Sequence, residues 1–314
     1  MIRRRLPLAT SGGYWMLYIL PALAIYTVFM AYPLLDSVRL SFFGTTGNQP
    51  GTNQNNFVGF DNFIRLFTDS NYSSQYWGAF FHTWYFFFIN MAVQNTLGLY
   101  FATILMNKGL RGASAYRTII FIPATLAVLV TGYLWKLILN PQWGAVNIIL
   151  EHIGLSQFAF PWLGDSRFAL TAVSLVSSWQ WVGMPTMMFL AGLQNIPDDL
   201  LEAGQIVGAT SWQQFWHIKL PMLRPVIGIV TVLTFVANFN AFDVVYAMED
   251  ANGAPLYATD LIGTLFYRLG IAGQAPVGIP NPGVGAAVAT VTFIMLAAGV
   301  ALVLRLTQSE RSST

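Results

Sequence analysis

The chain is poor in charge and contains no cysteine. Only 9% of its 314 residues are charged, whereas an ordinary soluble domain carries about 25%. So few charges cannot cover the surface of a soluble protein of this length, so the composition indicates a membrane protein with lipid as its main solvent. Without cysteine, disulfides and thiolate chemistry are excluded. No basic block of the nucleic-acid-binding kind is present. The histidines lack ligand spacing, so we expect no metal site.

Apolar residues make up 55% of the chain and are concentrated in long runs. A hydrocarbon core about 30 Å thick needs about 20 consecutive apolar residues in a helix. Six runs meet this requirement: residues 14–35, 79–106, 118–139, 168–193, 226–248 and 285–304. They predict an all-α polytopic membrane protein with six transmembrane helices. Gly285 and Ala289, four residues apart in the last run, would allow another helix to approach closely.

Lysine and arginine are distributed unevenly between the segments that join these runs. With the N-terminus in the cytoplasm, the inner segments hold ten of these residues and the outer segments five. Because cytoplasmic segments carry the excess of positive charge, we expect both termini inside. The predicted parts are a cytoplasmic N-terminus (1–13), one transmembrane domain (14–306) and a cytoplasmic tail (307–314). The alternative for the first run is a cleaved signal peptide, but its apolar stretch continues past the Ala22-Leu23-Ala24 site.

A polar segment, residues 196–225, separates the fourth and fifth runs on the predicted cytoplasmic side. Pro197, followed by two aspartates, opens a helix there, since carboxylates favour the positive end of the helix dipole. Four small or apolar residues then follow at helical spacing: Leu200, Ala203, Gly204 and Val207. This spacing predicts an apolar stripe along one face of the helix.

Gly208 then permits a sharp turn into a second helix. Ser211 and Gln214 predict a capping box at its start, and Leu220-Pro221 is expected to end it. Three aromatic residues share one face of this helix: Trp212, Phe215 and Trp216. Two short helices at an angle, with exposed aromatic residues, are typical of a protein–protein interface. The alternative is an amphipathic helix on the inner leaflet, which the two aspartates disfavour because that leaflet is anionic.

This segment resembles the EAA loop of the permease subunits of binding-protein-dependent ABC importers. The matching residues are Glu202-Ala203, Gly208-Ala209, Phe215, Ile218, Leu220-Pro221 and Pro225. The wider chain is similar to the carbohydrate-type branch of these permeases, through Tyr32-Pro33, residues 58–63 and residues 283–287. Two positions depart from the loop: Gly204 replaces its second alanine, and Val207 stands where an aspartate commonly precedes the glycine.

The resemblance implies a type I ABC importer permease fold that works by alternating access. Coupling helices at about 197–219 would be seated in clefts on a separate ATPase dimer. The residues implied in this coupling are Glu202, Ala203, Gly208, Ala209, Phe215, Leu220 and Pro221. A second related permease and an extracytoplasmic solute-binding protein would complete the complex, in the cytoplasmic membrane of a prokaryote.

The chain contains no G-x-x-x-x-G-K-[ST] motif, and hence no such backbone cradle for phosphates. We therefore expect that it has no ATPase activity and holds no cofactor. ATP and Mg would be bound by the partner ATPase. The chain would then be a non-enzymatic part of an ATP-hydrolysing complex.

Polar residues inside the runs are the candidates for a substrate path, because burial in lipid is costly unless they pair or line a wet cavity. The candidates are Asn90, Gln94, Trp179, Gln180, Asn238, Asn240 and Asp243. In the fourth run Trp181 extends the Trp179-Gln180 pair into an aromatic surface with a hydrogen-bonding side chain. Aromatic planes suit the C–H faces of a sugar, and amides and carboxylates suit its hydroxyls. The structural alternatives are helix–helix hydrogen bonds for the amides, packing for the tryptophan, and an ion pair with Lys136 for Asp243.

Several substrates and two other classes of protein stay open at this point. Oligosaccharides, disaccharides, monosaccharides, glycerol phosphate and other polyols all suit a polar, aromatic path, although no strongly basic pocket for phosphate is evident. A secondary transporter would explain the spans, but it would usually show related halves and would not explain the cytoplasmic helix pair. A membrane-embedded enzyme would need a nucleophile, metal ligands or a carboxylate cluster, and Asp243 alone does not supply one.

Overall fold

The computed structural model describes residues 13–44, 56–107, 109–272 and 280–308, and these residues are mostly helical. The helices are α1 (Gly13–Tyr26), α2 (Tyr32–Leu40), α3 (Asp61–Thr68), α4 (Ser70–Asn90), α5 (Thr96–Leu105), α6 (Ala113–Phe121), α7 (Val128–Ile138), α8 (Ala145–His152), α9 (Ala169–Trp181), α10 (Gly183–Gln194), α11 (Asp198–Ile206), α12 (Ser211–Gln214), α13 (Leu220–Met222), α14 (Arg224–Phe239), α15 (Asp243–Glu249), α16 (Ile262–Tyr267) and α17 (Pro282–Gln308). Two short strands, β1 (Phe43–Gly44) and β2 (Asn56–Phe57), pair antiparallel. The predicted all-α fold class is confirmed.

Short turns of other helix types join or extend several of these helices. π-helical turns follow α1, α4, α12 and α16, and they span Thr27–Ala31, Met91–Asn95, Phe215–Lys219 and Arg268–Ala272. Turns of 3-10 helix span Ile122–Thr125 and Ser156–Phe158. The π turns after α1 and α4 continue the helical path. α1 and α2 therefore form one continuous helical stretch, and α4 and α5 form another.

Three helical stretches are long and apolar enough to cross a membrane: Tyr18–Leu40, Ser70–Leu105 and Pro282–Arg305. Two bent pairs raise this number to five within the described residues, if each pair is one span. In one pair α6 and α7 meet at 95°, and in the other the helix Ser211–Met222 meets α14 at 66°. Prolines lie at both bends, where they remove backbone donors. The count of six spans and the cytoplasmic placement of both termini stay predictions.

The fourth and fifth apolar runs are each interrupted near their middle. Pro185 in α10 cannot donate to the carbonyl of Trp181 four residues earlier, and the run breaks between α9 and α10. In the fifth run the Asn240 amide donates to the carbonyl of Val236 at 2.9 Å, which offers the backbone an alternative to continuing the helix. α14 therefore ends before Asn240, and α15 begins at Asp243. Both breaks place polar and aromatic residues inside the membrane domain.

The buried core consists of three apolar clusters between the helices. The first lies between α4, α14, α16 and α17, with Phe87, Phe239 and Val288 among its members. The second joins α4, α9 and α15, and the third joins α5, α10 and α14. The stretch Tyr18–Leu40, in contrast, has no buried residue, so its apolar side chains face the surroundings of the chain. A membrane or a partner must cover that surface, because it is too apolar to face water.

The turn after α16 packs directly against α17 through two glycines. A Cβ added to Gly285 would lie 2.5 Å from the Cα of Gly270, which is closer than atoms can pack. The expectation that Gly285 allows close helix approach is therefore confirmed, while Ala289 is only half-buried.

We expect Gly285→Leu to destabilise the purified protein by about 3 kcal/mol, because the added side chain must force the two backbones apart. The measurement is the midpoint of thermal unfolding in detergent. Gly78→Leu is the control, since a Cβ at Gly78 meets no atom within 4 Å. Equal midpoints for the two variants would contradict the assigned contact.

Candidate coupling surface and substrate cavity

The coupling segment, residues 197–219, begins as the sequence predicts. Pro197 has an extended backbone with ψ 131°, and α11 starts at the next residue with Asp198 and Asp199 in its first turn. Carboxylates at this end are favoured by the partial positive charge of the helix N-terminus. The first of the two predicted helices is therefore present.

A tight turn at Gly208 ends the first helix. Gly208 has φ +80°, its amide donates to the carbonyl of Gln205, and the Ala209 amide donates to the carbonyl of Gly204, both at 2.9 Å. These two bonds satisfy carbonyls at the end of α11 in the manner of a Schellman motif, which needs a left-handed residue at Gly208. The predicted change of direction is confirmed, and the hydrogen bonds define its angle.

The capping box of the second helix lies one residue earlier than predicted. The Gln213 amide donates to Oγ1 of Thr210 at 3.3 Å, and the Thr210 amide donates to Oε1 of Gln213 at 2.8 Å. The predicted pair, Ser211 with Gln214, is wrong because Gln214 is buried and its side chain donates to the carbonyl of Ala209. The helix also continues through Leu220-Pro221 to Met222 rather than ending there.

The predicted apolar stripe of α11 faces mostly away from the rest of the chain. Of its four members only Gly204 is buried, whereas Leu200 is 44% exposed and Val207 is 84% exposed. α11 packs through Gly204 onto the side chains of Ile218 and Gln214, so its buried face is narrow. Apolar side chains consequently point outward, with Ile206 88% exposed beside Val207.

The coupling residues implied by the resemblance lie along this outward surface. Glu202, Ala203 and Pro221 are exposed, while Ala209, Phe215 and Leu220 are half-buried. The ring of Phe215 stacks on Trp212 at 6.2 Å and meets Trp216 edge-on at 5.5 Å. The aromatic face of the second helix is thus a packed group with two partly exposed tryptophans. Such a surface has the composition of an interface.

A second feature is a cavity of about 380 Å³ between α4, the π turn that follows it, and helices α7, α9, α10, α14 and α15. Its polar lining consists of Gln94, Ser177, Thr234, Asn238, Asn240 and Asp243. Four of the seven predicted substrate-path residues are therefore brought together: Gln94, Asn238, Asn240 and Asp243. The fifth run supplies three of them because its helix breaks at Asn240 and lets both flanks face the cavity.

The other three candidates have structural partners and do not line the cavity. The Asn90 amide donates to the carbonyl of Phe86 at 2.9 Å, and its Oδ1 accepts a bond from Ser178 at 3.1 Å. Gln180 donates to the carbonyl of Leu126 at 3.0 Å. The ring of Trp179 packs edge-on against Trp135 at 5.4 Å. These contacts match the structural alternatives that the sequence allowed for the amides and the tryptophan.

Of the aromatic surface predicted at Trp179-Gln180-Trp181, only Trp181, the last residue of α9, lines the cavity. Two other aromatic residues of the cavity wall, Phe86 and Phe242, were missed from the sequence. Phe242 lies between α14 and α15, where a continuous helix was expected. Phe86 lies within α4, and the sequence carries no local signal that distinguishes it from the other phenylalanines of that helix.

The alternative ion pair between Asp243 and Lys136 does not form. Among the described residues no lysine or arginine lies within ion-pair distance of the Asp243 carboxylate. Lys136 instead interacts electrostatically with Glu249, the last residue of α15. Asp243 is exposed and lines the cavity without a cationic partner.

A helical membrane domain with a polar cavity between its spans and an exposed helix pair defines a transport protein. The family described as "Binding-protein-dependent transport system inner membrane component" matches residues 94–310. The chain belongs to this family, and it is a multi-pass protein of the prokaryotic cytoplasmic membrane.

Named relatives cover most of the chain. The lactose transport system permease protein LacF of Rhizobium radiobacter is 32% identical, over 81% of this chain and 82% of its own length. The trehalose/maltose transport system permease protein MalF of Thermococcus litoralis is 32% identical, over 90% of this chain and 89% of its own.

The fold also matches a solved structure, that of a bacterial ABC transporter involved in the import of the acidic polysaccharide alginate. The TM-score is 0.74 at 22% identity, over 95% of this chain and 96% of that one. At this identity the likeness supports the fold. The type I permease architecture expected from the EAA loop is therefore confirmed at the level of the fold.

Proposed function

We propose that this chain is one transmembrane subunit of an ABC importer that carries a sugar across the cytoplasmic membrane. The observation that carries the proposal is the cavity, in which three aromatic planes meet three carboxamides, two hydroxyls and one carboxylate. The C–H faces of a sugar can pack against the aromatic planes, and its hydroxyls can hydrogen-bond to the carboxamides, hydroxyls and carboxylate. The relatives named for lactose, trehalose/maltose and diacetylchitobiose transport support the same substrate class.

In this proposal the energy comes from ATP and Mg bound to a separate ATPase dimer. The exposed surface of the coupling segment is seated on that ATPase, with Glu202 making a polar contact and the aromatic group around Phe215 filling an apolar pocket. The turn at Gly208 keeps the two short helices at a fixed angle, which is the physical requirement for a lever. A loop without such hydrogen bonds would absorb the ATPase motion instead of favouring one membrane state over the other.

The complex contains two further partners. A second, related permease subunit covers the cavity wall that this chain leaves open, and an extracytoplasmic solute-binding protein delivers the sugar. One solved structure of similar fold, with a TM-score of 0.71, is an alginate transporter in complex with an alginate pentasaccharide-bound periplasmic protein. That complex supports a solute-binding partner for this chain.

We expect the purified chain, reconstituted alone in liposomes, to show neither ATP hydrolysis nor sugar uptake. Addition of the second permease, the ATPase and the sugar-loaded binding protein is expected to produce ATP-dependent uptake of radiolabelled sugar. A non-hydrolysable ATP analogue is the control and should give no accumulation. ATP turnover by the pure chain, or uptake driven by an ion gradient without ATPase, would contradict the proposed division of labour.

A further inference from the structure

Asp243 is the one acidic side chain among the described residues that line the cavity. It begins α15, directly after the gap at residues 240–242 that follows α14. Its side chain is exposed within a wall that is otherwise made of apolar residues, amides and hydroxyls. A carboxylate in such surroundings acts on a bound ligand most strongly once that ligand displaces the water beside it, because the rest of the wall is largely apolar.

No lysine, arginine or histidine is among the described lining residues, so the wall offers a bound molecule no positive charge. Lys136 is not among the lining residues and forms no ion pair with Asp243. A sugar that carries a carboxylate or a phosphate would therefore approach Asp243 without a compensating cation. A neutral sugar would instead offer hydroxyl donors to the same oxygens.

Asp243 could also be present only to stabilise the start of α15. An experiment must distinguish this structural role from a role in substrate selection. A carboxylate in the first turn of a helix favours the helix dipole, and Asp243 lies at the first position of α15. An asparagine has nearly the shape of an aspartate and also accepts hydrogen bonds, so it loses only the modest charge–dipole contribution. Replacing Asp243 by asparagine thus removes the charge while preserving most of the structural contribution.

We infer that Asp243 makes this cavity select against anionic sugars, so that the substrate class is neutral saccharides rather than uronates or sugar phosphates. This inference rests on the proposed sugar path and names its specificity-determining residue. The physical cause is like-charge repulsion once a bound sugar displaces the water around Asp243, combined with the loss of the anion's hydration.

The test uses the complete transporter in nanodiscs without the solute-binding protein, so that selection by that protein does not enter. Equilibrium binding is measured for maltose, trehalose, lactose and diacetylchitobiose. For each sugar that binds, the affinity is measured again for the same sugar with one C6 hydroxymethyl group oxidised to a carboxylate.

The wild-type complex should bind the neutral sugar more tightly than its anionic counterpart. Asp243→Asn should lower the neutral-to-anionic affinity ratio by about tenfold, a change that corresponds to about 1.4 kcal/mol. The affinity for the neutral sugar should fall somewhat, since an amide oxygen accepts a weaker hydrogen bond than a carboxylate. The affinity for the anionic sugar should rise, and this rise distinguishes lost repulsion from a weaker contact with the neutral sugar.

Two matched variants test whether the change in the affinity ratio comes from charge inside the cavity. Asn240→Asp adds a second carboxylate to the same wall and should raise the ratio further. Glu151→Gln removes an exposed charge from α8, outside the cavity, and should leave the ratio at the wild-type value. An unchanged ratio in Asp243→Asn, with neutral sugar still bound, would overturn charge selection and leave sugar transport standing. A wild-type complex that binds none of the neutral sugars would overturn the proposed function and the selectivity together.

Discussion

Gly208→Val is expected to abolish ATP-driven uptake while the protein still inserts in the membrane. Gly208 has φ +80°, a backbone conformation that costs an L-residue about 1–2 kcal/mol and a β-branched residue more. A Cβ at this position meets no atom within 4 Å, so the effect comes from the backbone and not from a clash. The strain is relieved by breaking the bonds from the amides of Gly208 and Ala209, which frees the angle between the two short helices.

The measurement is sugar uptake by reconstituted complex, together with co-purification of the ATPase. Gly208→Asn is expected to retain most activity, because asparagine tolerates the left-handed conformation. Gly154→Val is the matched control, since Gly154 has φ +76° and open space around it but lies just after α8, on the predicted outer side. Normal uptake by Gly208→Val, or equal loss in both valine variants, would remove the special role of this turn.

Arg268→Met is expected to destabilise the protein by about 3–5 kcal/mol, because it leaves Asp260 buried without its partner. Arg268 and Asp260 are fully buried or nearly so, and the guanidinium donates to both carboxylate oxygens at 2.6 and 3.0 Å. It also donates to Oε1 of Gln75 at 3.1 Å and lies 4.8 Å from the ring centroid of Tyr257. One side chain thus ties the segment after α15 to the start of α4.

The midpoint of thermal unfolding in detergent gives the size of this effect. The double variant Arg268→Met/Asp260→Leu should recover most of the loss, because no buried charge is then left unpaired. The exposed pair Arg39–Asp36, whose atoms are 2.8 Å apart, is the control, and Arg39→Met should change the midpoint little. A double variant no more stable than the single one would show that the lost stability does not come from the unpaired carboxylate.

The sequence predicted part of the cavity lining. The residues that were wrongly selected or not found have identifiable physical causes. Asn240 and Asp243 were found because polar residues in an apolar run must have partners or face a cavity. Asn90 was selected by the same rule, but its partner is Ser178 on a neighbouring helix, and helical spacing alone does not distinguish a hydrogen-bonded amide from a free one. Phe242 was missed because it lies in the gap between α14 and α15, where the unbroken apolar run predicted one continuous helix.

The composition and the length of the apolar runs determined that this is a helical membrane protein, because the bilayer dictates both. The order of residues 197–219 determined that two short helices meet at Gly208, since the turn is a local hydrogen-bonding pattern. Which face of α11 is buried and which polar side chains share one cavity were decided by tertiary structure. Those outcomes depend on contacts between residues far apart in the chain, such as Gly204 on Ile218 and α14 beside α10. Local spacing carries no information about which helices become neighbours.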